Sequence, residues 1–342
     1  MKKLVVIGGG FAGSKIAKAL ENKFDVTLID TKDYFEFTPG ILPSITDPEC
    51  MKEIRVLHTH YLKKAMVVIG RVQKISKNEV FLKNKKIPFD YLVIASGSRY
   101  SYPFEKHEPI LINRANQLRN HCNGLCDSQK ILIIGGGFTG VELAADIIDK
   151  YPEKEITIVH SMDRLLERQP EKVSNYAKKF FEKKGVKIIF NELVKGDRKG
   201  VYTTNKGTKI ESDMAFLCVG IVPNSEFMKK SFPRLLDKRG HIKIDEFLHL
   251  KGHNNIFVAG DVTDIREEKT AQSAQQHADC VIQNILKTEK GKPLQTYHFK
   301  NKGMLISLGE HDGIMSRGNF VLTGILARMM KSALQKKEMS EM

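Results

Sequence analysis

Two short apolar runs, each breaking into glycines, set the frame of this chain. Leu4-Val5-Val6-Ile7 leads into Gly8-Gly9-Gly10-Phe11-Ala12-Gly13. After an interval of 127 residues, Ile131-Leu132-Ile133-Ile134 leads into Gly135-Gly136-Gly137-Phe138-Thr139-Gly140, and six of the ten positions are identical. Behind each turn the apolar positions change to helical spacing, with Ile16, Ala17, Ala19 and Leu20 in one copy and Leu143, Ala144, Ile147 and Ile148 in the other. Each copy therefore predicts strand, tight turn and helix, and a second strand follows at Asp25-Val26-Thr27-Leu28-Ile29 and at Ile156-Thr157-Ile158-Val159. The device occurs twice, and it predicts an α/β chain with two parallel sheets.

The spacing G-x-G-x-x-G carries a mechanism. Its first glycine permits the tight turn, the second lets backbone N–H groups reach a pyrophosphate, and the third lets the helix pack on the strand. The N-terminus of that helix then faces the phosphates. A single copy also fits a glycine-rich hairpin; two copies in matching contexts favour two dinucleotide sites. In the first copy the second strand ends at Asp30, an acid suited to a ribose hydroxyl. The corresponding position of the second copy is His160, with Arg164 nearby. A carboxylate would repel the 2′-phosphate of NADPH, whereas His160 and Arg164 would accept it, so little preference between NADH and NADPH is expected. The plainer alternative for His160 is a solvated strand end.

Length and composition narrow the class without choosing a reaction. The chain has 342 residues, 41% hydrophobic and 28% charged, more than one core usually supports. No apolar stretch approaches the length of a membrane-spanning helix, and Met1-Lys2-Lys3 precedes too short an apolar run for a signal peptide. Five cysteines (Cys50, Cys122, Cys126, Cys218, Cys280) are too few for a disulfide scaffold and suit a reducing, cytoplasmic compartment. The net charge of +15 points to an anionic ligand or surface, or simply to a lysine-rich solvated face. Without an aromatic RNA-binding box, zinc knuckle or basic arm, no nucleic acid partner and no metal are expected.

Three further motifs carry a resemblance. Tyr91-Leu92-Val93-Ile94-Ala95-Ser96-Gly97-Ser98, Cys218-Val219-Gly220-Ile221-Val222-Pro223-Asn224 and Asn255-Ile256-Phe257-Val258-Ala259-Gly260-Asp261 resemble the A-T-G strand, the G-x-x-P-N turn and the second flavin motif of the two-dinucleotide-binding-domain flavoproteins, the pyridine nucleotide-disulfide oxidoreductase superfamily. The resemblance implies two Rossmann-like domains, one for FAD and one for NADH or NADPH, each with a parallel sheet and a small antiparallel meander. The first meander would use residues 66–72 and 80–82, the second residues 186–213. The FAD domain would comprise residues 1–105 and 245–300, the nucleotide domain residues 106–244, and residues 301–342 would add a C-terminal strand and amphipathic helix. FAD would be held by Gly8, Gly10, Phe11, Ala12, Gly13, Asp30, Ala95, Ser96, Gly97, Gly260 and Asp261. Pro39, in the aromatic loop after the first unit, would wall the flavin. NAD(P)H would be held by Gly135, Gly137, Phe138, Thr139, Gly140, Glu142, His160, Arg164 and Gly220.

The electron acceptor divides the superfamily. A disulfide reductase needs a close cysteine pair against the flavin, and Cys50 has no neighbouring partner. Thr270-Ala271-Gln272-Ser273-Ala274-Gln275-Gln276-His277 resembles the A-Q-x-A-x-Q motif of type II NADH:quinone oxidoreductases, and the compact chain is similar to the ferroptosis-suppressor quinone reductases. Gln272 and Gln276 lie four apart on a helix, so both amides share a face suited to quinone carbonyls. The start of that helix, Ala271 and Gln272, would contact FAD and direct the helix's positive end at the flavin. Glu142 and Lys302 are carried over as substrate-positioning residues. The C-terminal positions Leu322, Ile325, Leu326, Met329, Met330 and Ala333 recur at helical spacing with basic flanks. That predicts an amphipathic helix for an anionic membrane surface on the inner face of the cell membrane, for packing on the protein, or for a homodimer. The rival readings are a sulfide:quinone oxidoreductase, a reductase of a small iron–sulfur protein, and a non-catalytic flavin module.

Overall fold

The computed structural model describes residues 1–100, 110–111, 120–198 and 200–341. The first glycine unit is strand β1 (Lys3–Ile7), helix α1 (Phe11–Leu20) and strand β2 (Asp25–Asp30). Strands β3 (Met66–Ile69), β4 (Tyr91–Ile94) and β9 (Ile256–Val258) complete a parallel sheet in the order β9-β4-β1-β2-β3. Val5 sits opposite Thr27 on one side and Leu92 on the other. The second unit repeats this with β5 (Lys130–Ile134), α2 (Phe138–Lys150) and β6 (Glu155–Val159). Its sheet adds β7 (Lys187–Ile189), β8 (Met214–Leu217) and the short strand Ile110–Leu111, in the order 110–111, β8, β5, β6, β7. All but the first residue of β1 and of β5 are buried, as parallel strands covered on both faces must be.

Two expectations are corrected. Residues 66–72 do not begin the meander: Met66–Ile69 is the parallel edge strand β3, paired with β2, because Val67 and Val68 extend the sheet's apolar surface. The meander proper is Lys74–Ile75, Glu79–Phe81 and Lys86–Pro88, and in the second unit Lys187–Ile189 is likewise the sheet edge ahead of the meander Val194–Arg198, Val201–Thr204 and Lys209–Glu211. The expected boundary near residue 106 lies outside the described residues. At the other crossing Phe227, Met228 and Ile242 already pack with Val5, Ile7 and Leu92, ahead of residue 245.

The two chain crossings between the sheets pair with each other. Ser98–Tyr100 runs antiparallel to Ile221–Pro223, Ser96 Oγ donates to the carbonyl of Asn224 at 2.7 Å, and Asn224 Nδ2 returns a bond to the Ser96 carbonyl at 2.9 Å. Two motifs 128 residues apart thus form one joint. Downstream, helix α3 (Ala271–Glu289) packs on α1. The C-terminal part is a three-stranded antiparallel sheet, β10 (Met304–Leu308), β11 (Asp312–Arg317) and β12 (Phe320–Thr323), followed by helix α4 (Ile325–Ser340). Leu322 therefore lies in β12 and not in the helix, which starts after Gly324 at φ +91°.

Candidate active site

A cavity of ≈ 850 Å³ opens over the carboxyl ends of β1, β2, β4 and β9 and reaches the N-terminus of α3. Of the positions expected to meet FAD, Gly8, Gly10, Phe11, Ala12, Asp30, Ala95, Ser96, Gly97, Gly260, Asp261 and Ala271 line it. Gly13, Pro39 and Gln272 do not. Gly13 acts from the packing side: a Cβ there would lie 1.8 Å from the Gly8 carbonyl oxygen, so only glycine lets α1 approach the turn. At Gly10 a Cβ would meet nothing within 4 Å, leaving its backbone open to a ligand. Pro39 belongs to the aromatic loop whose Phe35 and Phe37 pack edge-on against Phe11, with ring centroids 5.2 and 5.5 Å away. The size of the cavity, its exposed glycine backbone and the acid at its end fit a dinucleotide.

The charges around the turn are held in fixed positions. Asp30 Oδ2 accepts from the Gly9 N–H at 2.7 Å, and His58 Nε2 stands 3.5 Å away. Burial opposes ionisation of Asp30, but His58, Lys32 and the Gly9 N–H outweigh it and bring the carboxyl down to about 2. Asp261 is pushed the other way by burial, against a 2.7 Å bond from Ser98 Oγ. Sequence reasoning missed His277, whose Nδ1 accepts from the Gly260 N–H at 2.9 Å, while Nε2 lies 2.8 Å from Glu267 and the ring meets Tyr297 edge-on at 4.6 Å. It fixes the turn that presents Asp261. The available signal was its place six residues after Ala271, within the string already singled out.

The second turn duplicates the first in geometry. Gly135 and Gly8 both have positive φ, at +116° and +98°. A Cβ on Gly140 would sit 1.8 Å from the Gly135 carbonyl oxygen, the same approach as in the first unit. Gly137, Phe138 and Thr139 remain partly exposed at the start of α2, and Thr139 Oγ1 meets the Tyr100 hydroxyl at 2.8 Å. Gly220 follows β8 beside Val219, which stands over Gly135. His160 is not a solvated strand end: it is buried, and Nδ1 accepts from the Gly136 N–H at 3.1 Å. Arg164 Nη2 donates to the Glu167 carbonyl at 2.6 Å. Glu142, in the second turn of α2, accepts from the Ser307 N–H at 2.8 Å and forms an ion pair with Lys331 of α4.

The expected quinone ligands have backbone partners. Gln276 donates to the Lys300 carbonyl at 3.0 Å and accepts from its N–H at 2.8 Å, and Gln272 donates to the Gly303 carbonyl at 3.4 Å. Both amides tie residues 300–303 to α3. Lys302, within that segment, is exposed. The N-terminus of α3 does face the cavity, through Thr270, Ala271 and Ala274, with Thr270 Oγ1 capping the Ser273 N–H at 3.2 Å. Among the described residues no cysteine lines the cavity. Burial pushes the thiol of Cys218 up, and that of Cys280 up to about 11, so neither is a ready thiolate. The Cys50 side chain lies outside the described residues.

Residues 2–278 match the family model described as pyridine nucleotide-disulphide oxidoreductase. The chain is 32% identical to apoptosis-inducing factor homolog B of Dictyostelium discoideum, covering 97% of this chain and 94% of the relative. It is 30% identical to ferroptosis suppressor protein 1 of Mus musculus, covering 96% and 92%. Its fold is similar to the sulfide:quinone oxidoreductase of Aquifex aeolicus, with a TM-score of 0.88 at 20% identity, covering 98% of this chain and 90% of the other.

Proposed function

The chain belongs to the pyridine nucleotide-disulphide oxidoreductase family, and on that premise we propose that it is an FAD-dependent NAD(P)H:quinone oxidoreductase working at a membrane surface. The observation that carries the reading is the glycine cradle duplicated in atomic detail, with the same 1.8 Å contact at Gly13 and Gly140. FAD, when bound, supplies a hydride acceptor and a two-electron donor. The chain's part is to hold, orient and charge the surroundings. In this reading Gly8, Gly10, Phe11, Ala12 and Asp30 bind the adenine half of FAD, and Ala95, Ser96, Gly97, Gly260 and Asp261 bind the rest. The N-terminus of α3 favours negative charge on the ring beside it. Gly135, Gly137, Phe138, Thr139, Gly140 and Gly220 form the cradle for the nicotinamide donor. Gln272 and Gln276 shape the acceptor side through the 300–303 segment they hold, with Lys302 at its surface, and the Glu142–Lys331 pair holds α4 against Ser307 of β10.

Rapid mixing tests donor and acceptor together. NADH is expected to bleach the flavin band, and a short-chain ubiquinone analogue to restore it at least about tenfold faster than air, a margin of roughly 1.4 kcal/mol in barrier. Restoration at the rate of air alone refutes the quinone assignment. The same course in a chain with all five cysteines replaced by serine separates the proposal from sulfide oxidation.

Membrane contact is supported by the inverted amphipathicity of α4. Its inward side carries anchors: Arg328 to the Gly309 carbonyl at 3.0 Å, Lys331 to Glu142, and Glu338 to Gln275 at 2.5 Å. Its outward side carries Leu326 and Met329, each 60% exposed, with Met330, Leu334 and neighbouring Phe320. No helix among the described residues is long and apolar enough to cross a membrane, so this face would lie in the interface, helped by the net charge of +15. Replacing Leu326, Met329 and Met330 together by serine should cut co-sedimentation with phosphatidylglycerol-containing vesicles at least about tenfold, from apolar area lost at about 25 cal/mol per Å², with flavin content unchanged. Undiminished co-sedimentation, or a switch from dimer to monomer in sedimentation velocity, would assign the face to something other than lipid.

A further inference from the structure

The second cradle has an acid, delivered from a later position. In the first unit the glycine N–H meets Asp30 and His58 stands behind the carboxylate. In the second the order is reversed: the Gly136 N–H donates to His160 Nδ1, and Glu167 Oε2 stands 3.2 Å from Nε2. A ring nitrogen accepts only when it carries no proton, so this network assigns the neutral tautomer with its proton on Nε2, donated to Glu167. Both nitrogens of His160 are thereby committed, and the ring has no donor left for a phosphate.

The backbone brings Glu167 to this place. The Leu166 N–H donates to the Gly136 carbonyl at 2.9 Å, and Leu165 packs so closely that a Cβ on Gly136 would meet it at 2.6 Å. Leu166 itself has φ +52°, a conformation that costs a bulky side chain on the order of 1 kcal/mol and persists only where the surroundings dictate it. The loop after β6 is therefore folded over the glycine turn, with the Glu167 side chain 25% exposed at its rim. Arg164 is turned to a backbone carbonyl, and Arg168 lies 3.7 Å from Glu167 and 3.3 Å from Glu268, so the nearby guanidinium groups are already paired.

We infer that Glu167, oriented by His160, sets the nucleotide specificity of the second cradle: its carboxylate accepts the ribose 2′-hydroxyl of NADH and repels the 2′-phosphate of NADPH. This replaces the even preference expected from His160 and Arg164, and it rests on the reading that this cradle takes the nicotinamide donor. Calorimetric titration of the flavin-loaded protein with NAD⁺ and NADP⁺ tests it without turnover. The wild-type chain is expected to bind NAD⁺ at least about tenfold more tightly, equivalent to roughly 1.4 kcal/mol. Glu167→Gln should tighten NADP⁺ until the two affinities agree within about threefold, His160→Ala should narrow the ratio similarly because it frees the carboxylate, and Glu167→Asp should keep most of the selectivity. An unchanged ratio in Glu167→Gln overturns the role of Glu167 while leaving the donor site standing. Failure of the wild-type chain to bind either nucleotide overturns both.

Discussion

A Gly13→Ala chain is expected to leave the purification column colourless. Its new Cβ would sit 1.8 Å from the Gly8 carbonyl oxygen, a backbone atom that cannot rotate away. Helix α1 must retreat, and its N-terminal N–H groups leave the place where a pyrophosphate would meet them. Overpacking of this kind costs about 1–3 kcal/mol, and misdirected donors add to the loss of affinity. FAD affinity should fall at least about 100-fold, roughly 2.7 kcal/mol. Gly140→Ala makes the identical clash in the second unit, yet its expected phenotype is the complement: yellow protein that NADH no longer bleaches. Gly10→Ala separates binding from folding. Its φ of −80° and ψ of −164° suit alanine, and the methyl would enter open space, so thermal stability should hold while flavin affinity falls. Full flavin occupancy in Gly13→Ala would show that the first cradle does not hold FAD.

The doubled cradle was legible because glycine at these positions answers a local steric demand. Gly13 and Gly140 are fixed by contacts within ten residues of chain, Gly8 and Gly135 by their own positive φ, and the apolar runs beside them have too few polar positions for any but a buried strand. What escaped depended on partners distant in sequence. Gln272 and Gln276 share a helix face as their spacing requires, but spacing does not reveal that residues 300–303 arrive to occupy both amides. The edge strand β3 and the meander after it are both runs of a few residues between short turns, and pairing with β2 distinguishes them. His160 looked like a lost acid because one position was compared with one position. The carboxylate had moved seven residues along, to Glu167, and Leu166 carries it back. The apolar stripe of α4 suited a membrane surface, the protein or a second copy alike, and only Arg328 and Lys331 on the inner side show which way it faces.

Removing Lys331 is expected to loosen the C-terminal helix, and to do so more at high pH than at low. Lys331 and Glu142 form an ion pair with side chains only 14% and 10% exposed, and Ser307 completes it from β10. Breaking such a pair from one side costs about 3–5 kcal/mol, because the remaining charge stays buried without its counter-ion. One helical turn further along α2, burial and the charge of Glu142 push the Asp146 carboxyl up to about 7, against the opposing pull of Lys331 and Arg328. An acid whose pKa is raised on folding binds more protons in the native state, so stability falls as pH rises. Its contribution is whole below the ordinary value of 3.8 and is lost progressively towards 7. Lys331→Met deletes one of the two cations that restrain this shift, which extends the window upward. The variant should therefore unfold its tail to protease readily at pH 8 and much less at pH 5, while NADH still reduces the flavin because neither cradle is touched. Asp146→Asn added to Lys331→Met should flatten that pH dependence. Equal protease sensitivity at both pH values in the single variant would mean that Asp146 does not govern how α4 is held, and the helix would then depend on Arg328, Glu338 and the buried Ala327 for its place.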